Sequence, residues 1–149
     1  MSRKFLYFDV HYAVKLHDWI INNSGGLAGI YNLGLIESPL EHIQNDDYYP
    51  EFEDKLTHLV FSINKSHAFA DGNKRSSIAL GGYFLELNGY DYIVKKFELK
   101  MENIAVSVAE GLISKDLLGE IIKSLIYEED YSEALKLQIL LAVSGDDYS

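Results

Sequence analysis

Three observations in the chain of 149 residues predict an all-α fold, a compact helical bundle around one buried central helix with a small flap or short strand segment beside it. Residues 51–65 place Leu56, Leu59, Val60 and Ile63 at i, i+3, i+4 and i+7, the apolar stripe of a helix. Residues 76–88 are apolar nearly all round, through Ile78, Ala79, Leu80, Phe84, Leu85 and Leu87, and end at Asn88-Gly89, a left-handed stop. Helix-start residues stand before the other apolar segments, at Asp9, Ser38, Ser114 and Asp130 to Ser132.

The length is that of one domain, residues 1–149, with no repeat or low-complexity segment. With 48% hydrophobic and 24% charged residues the balance is that of a folded chain. Thirteen Lys and Arg against 23 Asp and Glu leave a net charge of −10, which gives no general attraction to nucleic acid or anionic lipid. Neither is expected as a partner. The absence of cysteine excludes disulfide and thiol chemistry and agrees with a cytoplasmic location. Arg3-Lys4 before Phe5-Leu6-Tyr7-Phe8 imitates an export signal, but Asp9 and His11 cut the apolar run short.

Residues 5–8 read as a short edge strand or an extended lead-in. Asp9 then caps a helix over residues 10–22, with Val14, Leu16, Ile20 and Ile21 among its apolar positions. His11 and His17 are six apart, not the spacing that sets two metal ligands on one helix face, and both read as surface or cap residues. The stretch Gly25-Gly26-Leu27-Ala28-Gly29-Ile30 is either a loop whose Leu27 and Ile30 plug the core or a flap over a site that positions a target segment. Ser38-Pro39-Leu40-Glu41 is a capping box, so a short helix is expected to start there, before a polar turn at Asn45 to Pro50 with solvated carboxylates. The helix over 51–65 carries Asp54 and His58 four apart, which suggests a helical pair. Gly81-Gly82 inside the central helix cost about 1 kcal/mol each against alanine, so a neighbouring helix is expected to approach closely there. An extended piece near 90–94, helices over 102–112 and 115–126, and a last helix over 130–143 complete the reading. The last is too apolar for water and is expected to pack on the body; the alternatives are pairing with a second copy in a homodimer or filling a groove.

Between the two strongest helices lies His67-Ala68-Phe69-Ala70-Asp71-Gly72-Asn73-Lys74-Arg75. This loop feeds a helix N-terminus, whose unsatisfied N–H groups and positive dipole end form an anion site, and Gly72 lets the backbone come close to a phosphate. Lys74 and Arg75 add fixed positive charge, Arg as a planar fork and Lys as a point charge. Asp71 is a hard-oxygen ligand suited, together with phosphate oxygens, to Mg²⁺. His67 can take a proton from a hydroxyl near neutral pH, and Phe69 anchors the loop in the core. Together these groups suit phosphate-ester chemistry.

The nine residues resemble the motif of the Fic/Doc family, His-x-Phe-x-Asp/Asn-Ala/Gly-Asn-x-Arg. Residues 25–38 and 108–125 resemble the corresponding family stretches, so the likeness covers about residues 9–126. Lys74, where the nucleotide-transferring Fic branch has Gly, and the lack of any Arg after Arg75 resemble the death-on-curing branch. That resemblance implies a toxin of a toxin–antitoxin pair that moves the terminal phosphate of ATP, with Mg²⁺, onto a Ser or Thr hydroxyl of a protein target, a translation factor. It implies His67 as general base, Asp71 as Mg²⁺ ligand, Gly72, Asn73, Lys74 and Arg75 as nucleotide and phosphate contacts, and Gly25, Gly26, Leu27 and Ile30 as the target-positioning flap. Gly72, where the branch's best-known form has Ala, departs toward the Fic pattern and keeps nucleotidyl transfer (AMPylation) as an alternative. A non-catalytic binding module is a second alternative. Self-restraining relatives carry a Ser/Thr-x-x-x-Glu-Gly/Asn helix. Here Ser124 and Glu128 are followed by Glu129, so the expectation is an antitoxin inhibitor in trans.

Overall fold

A computed structural model describes residues 4–145. Seven α-helices form the described chain: α1 Val10–Ser24, α2 Gly34–His42, α3 Phe52–Ser66, α4 Asn73–Leu87, α5 Val94–Ala109, α6 Lys115–Tyr127 and α7 Glu133–Ser144, with a 3-10 turn at Asp91–Ile93. No strand occurs among the described residues, where the one β-type pairing is an isolated antiparallel bridge between Ile30 and Phe69. The all-α expectation holds.

The starts of the helices follow from their caps. Asp9 accepts the Tyr12 N–H, Ser114 that of Leu117 and Ser132 that of Leu135, while Glu51 and Asp54 form a reciprocal box at the head of α3. The centre is shared: α4 packs on α1, α3 and α5, and α3 also touches α2 and α6. Phe84 of α4 stacks on Phe52 of α3 at 5.0 Å between ring centroids. The close approach expected at Gly81 is present, since a Cβ there would stand 2.8 Å from Val60 Cγ2 and 3.0 Å from Phe97 Cζ.

Several expectations are corrected. Residues 5–8 are an extended lead-in and form no strand; Leu6 bonds through both N–H and C=O to the side chain of Asn88 at 2.8 and 3.0 Å. Helix α2 begins four residues before the predicted capping box and runs through Pro39. Pro39 is buried, and the carbonyl it leaves without a donor belongs to Leu35, which is partly exposed to water. Helix α5 begins at Val94, well before residue 102, because Phe97, Met101, Ile104, Ala105 and Val108 continue one buried face. Asp46 is not simply solvated: it bonds the buried Lys55 ammonium at 2.7 Å, and Lys55 also donates to the Ile43 carbonyl at 2.6 Å.

His58 does not pair with Asp54. It faces His42 Nδ1 at 3.1 Å, Tyr49 OH at 3.2 Å and Lys115 Nζ at 2.7 Å. Burial, then Lys115 and His42, lower its pKa from the ordinary value to about 4. Helix α7 packs on α6 through the buried Leu135, with Ile139 and Ala142 half-buried, but leaves Leu137, Leu140 and Leu141 exposed. No helix of the described residues is long and apolar enough to cross a membrane.

Candidate active site

Helix α3 delivers the motif by ending at His67 in the left-handed region (φ 52°, ψ 34°). Among the described residues it is the one non-glycine with positive φ, a conformation that costs about 1–3 kcal/mol unless its surroundings hold it. The surroundings do hold it. Ala68 and Phe69 are buried, and the Ala68 carbonyl accepts the N–H groups of Tyr31 at 2.7 Å and Asn32 at 3.1 Å. Ala70 donates to the Gly29 carbonyl at 3.0 Å. The flap therefore lies along the motif as a short antiparallel pair, while the His67 side chain remains exposed.

The flap's docking is done by main chain. Leu27 and Ile30 are 69% and 45% exposed, so of the two readings of this stretch the one in which they plug the core fails. Gly26 (φ 122°) allows the approach: a Cβ there would stand 2.6 Å from Asp71 Oδ2 and 2.9 Å from Arg75 Nη2. The next residue, Leu27, donates its N–H to Asp71 Oδ2 at 3.1 Å.

Asp71 is thereby aimed. Its Oδ1 accepts the Gly72 N–H at 2.8 Å and lies 3.9 Å from Arg75 Nη2. The Leu27 N–H, then the Gly72 N–H, with smaller help from Arg75 and Lys74, hold its carboxyl below the usual range. It is ionised and nearly half-exposed, as a hard-cation ligand must be. No group of three or more His, Cys, Asp or Glu side chains converges among the described residues, so a cation held at Asp71 would draw its other oxygens from a ligand or water.

Gly72 takes the left-handed conformation (φ 80°, ψ 16°) and starts α4, whose first turn has no side-chain cap. Asn73 turns its amide back, accepting the Phe69 N–H at 3.2 Å and donating to the Phe69 carbonyl at 3.0 Å, and so shapes the loop. Lys74 is exposed. Arg75 donates from Nη1 to Ser24 Oγ at 2.6 Å and the Gly25 carbonyl at 2.9 Å, fixing its guanidinium at the end of α1 beside Asp71. The structure thus gathers Asp71, Gly72 and Arg75 with Gly25, Gly26 and Leu27, Asn73 bracing the same loop and His67 and Lys74 exposed on it, while Ile30 joins through its backbone bridge to Phe69.

Two contributors escaped the sequence reading. Ser24 reads as a helix stop. His17, expected at the surface, is fully buried, lies face-on against the Phe69 ring at 3.7 Å between centroids, and reaches the Asp71 carbonyl with Nε2 at 2.7 Å. Its register with Ala13, Ile20 and Ile21 on the buried face of α1 was the available signal.

Comparison with known proteins agrees with this loop. A family model described as the Fic/DOC family matches residues 7–85, which span α1 through most of α4. The chain is 31% identical over 117 residues to "Protein kinase doc" of Escherichia phage P1, covering 75% of this chain and 89% of that protein. It is 33% identical over 89 residues to "Toxin Doc" of Mycolicibacterium smegmatis, covering 54% of this chain and 68% of that protein. The chain belongs to the Fic/Doc family.

Proposed function

We propose that this chain is a death-on-curing-like toxin that transfers the terminal phosphate of ATP to a Ser or Thr hydroxyl of a protein target, with Mg²⁺ as cofactor. The observation that supports the reading is one loop, residues 67–75, that carries an exposed His67, an ionised Asp71 and the uncapped start of α4, with Lys74 and Arg75 in its first turn. The names of the two relatives, a toxin and a protein kinase, support the same direction.

His67 accepts the proton of the incoming hydroxyl as its oxygen forms a bond to the γ-phosphorus. The bond from that phosphorus to the β,γ-bridging oxygen breaks, and ADP leaves. The α4 N-terminus, Lys74 and Arg75 hold the phosphate charge, and Asn73 keeps the loop in shape while they do so. Asp71 would hold Mg²⁺, which supplies charge neutralisation at the phosphates when bound. The flap at Gly25, Gly26, Leu27 and Ile30 lies along residues 68–71 of the motif and would position the target segment. A translation factor as target and an antitoxin acting in trans follow from the family resemblance.

Gly72, which departs toward the pattern of the nucleotide-transferring branch, favours a second reading, nucleotidyl transfer. A paired assay with α- and γ-labelled ATP and Mg²⁺ on cell lysate decides between them. Label from γ alone, lost in His67→Ala, is the expected result. Label from α with release of pyrophosphate would replace phosphoryl by nucleotidyl transfer, and γ-label unchanged in His67→Ala would overturn the mechanism.

A further inference from the structure

We infer that His17 is the positioning residue of this site: its Nε2–H pins the Asp71–Gly72 peptide plane, and through that plane it orients the Asp71 carboxylate. The inference rests on the reading of the loop as an Mg²⁺ and nucleotide site.

The argument starts from the chemistry of the contact. A carbonyl oxygen only accepts, so the 2.7 Å contact between His17 Nε2 and the Asp71 oxygen requires the proton on Nε2. The other ring nitrogen is a longer 3.4 Å from Asp18 Oδ1. The ring cannot swing away, because it is wholly buried and lies flat on Phe69, with planes 8° apart. Phe69 in turn is fixed by both polar atoms of the Asn73 amide.

The carbonyl of Asp71 and the N–H of Gly72 belong to one planar peptide group and point in opposite directions. Holding the carbonyl toward His17 therefore sends the Gly72 N–H the other way, where it meets Asp71 Oδ1 at 2.8 Å. The second oxygen, Oδ2, is left to Leu27 of the flap at 3.1 Å. Gly72 is the residue most able to let this plane rotate, since its φ of 80° lies where glycine has freedom. A residue 54 positions earlier thus supplies the restraint that the loop's own glycine lacks. His17 touches none of the reacting atoms and acts through Asp71.

The test uses His17→Phe, which keeps a flat ring against Phe69 but has no N–H, and His17→Gln, whose amide N–H reaches to the same place without the ring. Calorimetric binding of a non-hydrolysable ATP analogue is measured with and without Mg²⁺ on the full chain, beside the thermal midpoint and amide exchange. In His17→Phe the Mg²⁺-dependent gain in binding is expected to fall at least tenfold, while binding without metal changes less than threefold. His17→Gln is expected to recover most of the gain, even if it melts lower. Exchange at the Leu27 and Gly72 amides is expected to quicken at least tenfold in His17→Phe, with the α5 amides unchanged, and to slow again in His17→Gln.

A Mg²⁺ response in His17→Phe within twofold of wild type overturns the inference. If His17→Phe does not fold, His17→Gln carries the test: a response as weak as that of His17→Ala, despite a wild-type melt, overturns it equally. Wild type that binds no Mg²⁺–nucleotide refutes the functional reading instead. The exchange pattern then still decides whether His17 holds the loop, and uniform exchange across all variants counts against it.

Discussion

The side-chain amide of Asn73 closes on the backbone of Phe69, its Oδ1 accepting the N–H at 3.2 Å and its Nδ2 donating to the carbonyl at 3.0 Å. One side chain thus satisfies both polar groups of a buried residue that no helix or sheet ladder serves. Asn73→Ala is expected to lower stability by about 1–3 kcal/mol and to abolish most γ-label transfer. Asn73→Asp keeps the acceptor but sets a charge against the Phe69 carbonyl, so its labelling should be no better than that of the alanine variant. Urea unfolding and the transfer assay read both. Wild-type labelling by Asn73→Ala would mean that His17 and the flap suffice to hold the loop.

Gly26 faces the site with no room to spare. An alanine there would put its Cβ 2.6 Å from Asp71 Oδ2 and 2.9 Å from Arg75 Nη2, at a φ of 122°. The flap is exposed, so Gly26→Ala should leave the thermal midpoint within a few degrees of wild type while reducing transfer at least tenfold. Gly25→Ala is the informative neighbour: a Cβ there meets nothing, so backbone strain acts alone and the loss should be smaller. Equal losses in the two variants would assign the effect to flap conformation and not to crowding of Asp71.

Gly81 tests the bundle rather than the site. Alanine improves helix propensity by about 1 kcal/mol. Its Cβ would nevertheless stand 2.8 Å from Val60 Cγ2 and 3.0 Å from Phe97 Cζ, both on packed helices. Overpacking of this kind costs about 1–3 kcal/mol and should win, so Gly81→Ala is expected to be net destabilising in chemical denaturation. A stabilised variant would show that α3 and α5 yield readily around α4.

His58 predicts an acid sensitivity. Its folded pKa is about 4 against an ordinary 6.5, so the unfolded chain takes up the proton first as pH falls. The neutral ring contributes stability that is fully present above pH 6.5, declines through the window between the two values and is gone near pH 4, up to about 3 kcal/mol in all. Urea unfolding at pH 7.5 and 4.5 should show a smaller acid loss in His58→Gln than in wild type. The same loss in both would place the sensitivity on the carboxylates.

The helices were legible where local rules decide them. The stripe of Leu56, Leu59, Val60 and Ile63 gave α3 within a residue or two, the caps at Asp9 and Ser114 gave the starts of α1 and α6, and the last helix, expected from 130, starts three residues later behind Ser132. Pro39 misled because a proline near a helix start and one in its second turn look alike when the carbonyl left behind can meet water. In the site, the residue types and order from His67 to Arg75 pointed to phosphate chemistry and the family. What the order of residues does not show is how α1 and the flap brace the loop. The contacts of His17, Ser24 and Leu27 with Asp71 and Arg75 cross 44 to 54 residues, and each depends on how two helices dock. His58 was misassigned for the same reason, since its partners lie on α2, the following turn and α6 and not on its own helix.

The fastening of Leu6 to Asn88 bears on the chain as it is being made. Helix α4 opens with the motif at its N-terminal end and carries, just past its C-terminal end, the amide that grips the lead-in at 2.8 and 3.0 Å. Synthesis delivers residues in order, at roughly 5–20 per second. A chain that has emerged from the ribosome only as far as residue 75 has the motif but neither the rest of α4 nor the Asn88 amide that bonds Leu6. A fragment that stops before residue 88 therefore carries the whole motif, residues 67–75, but lacks the side chain that fastens the lead-in to the end of α4.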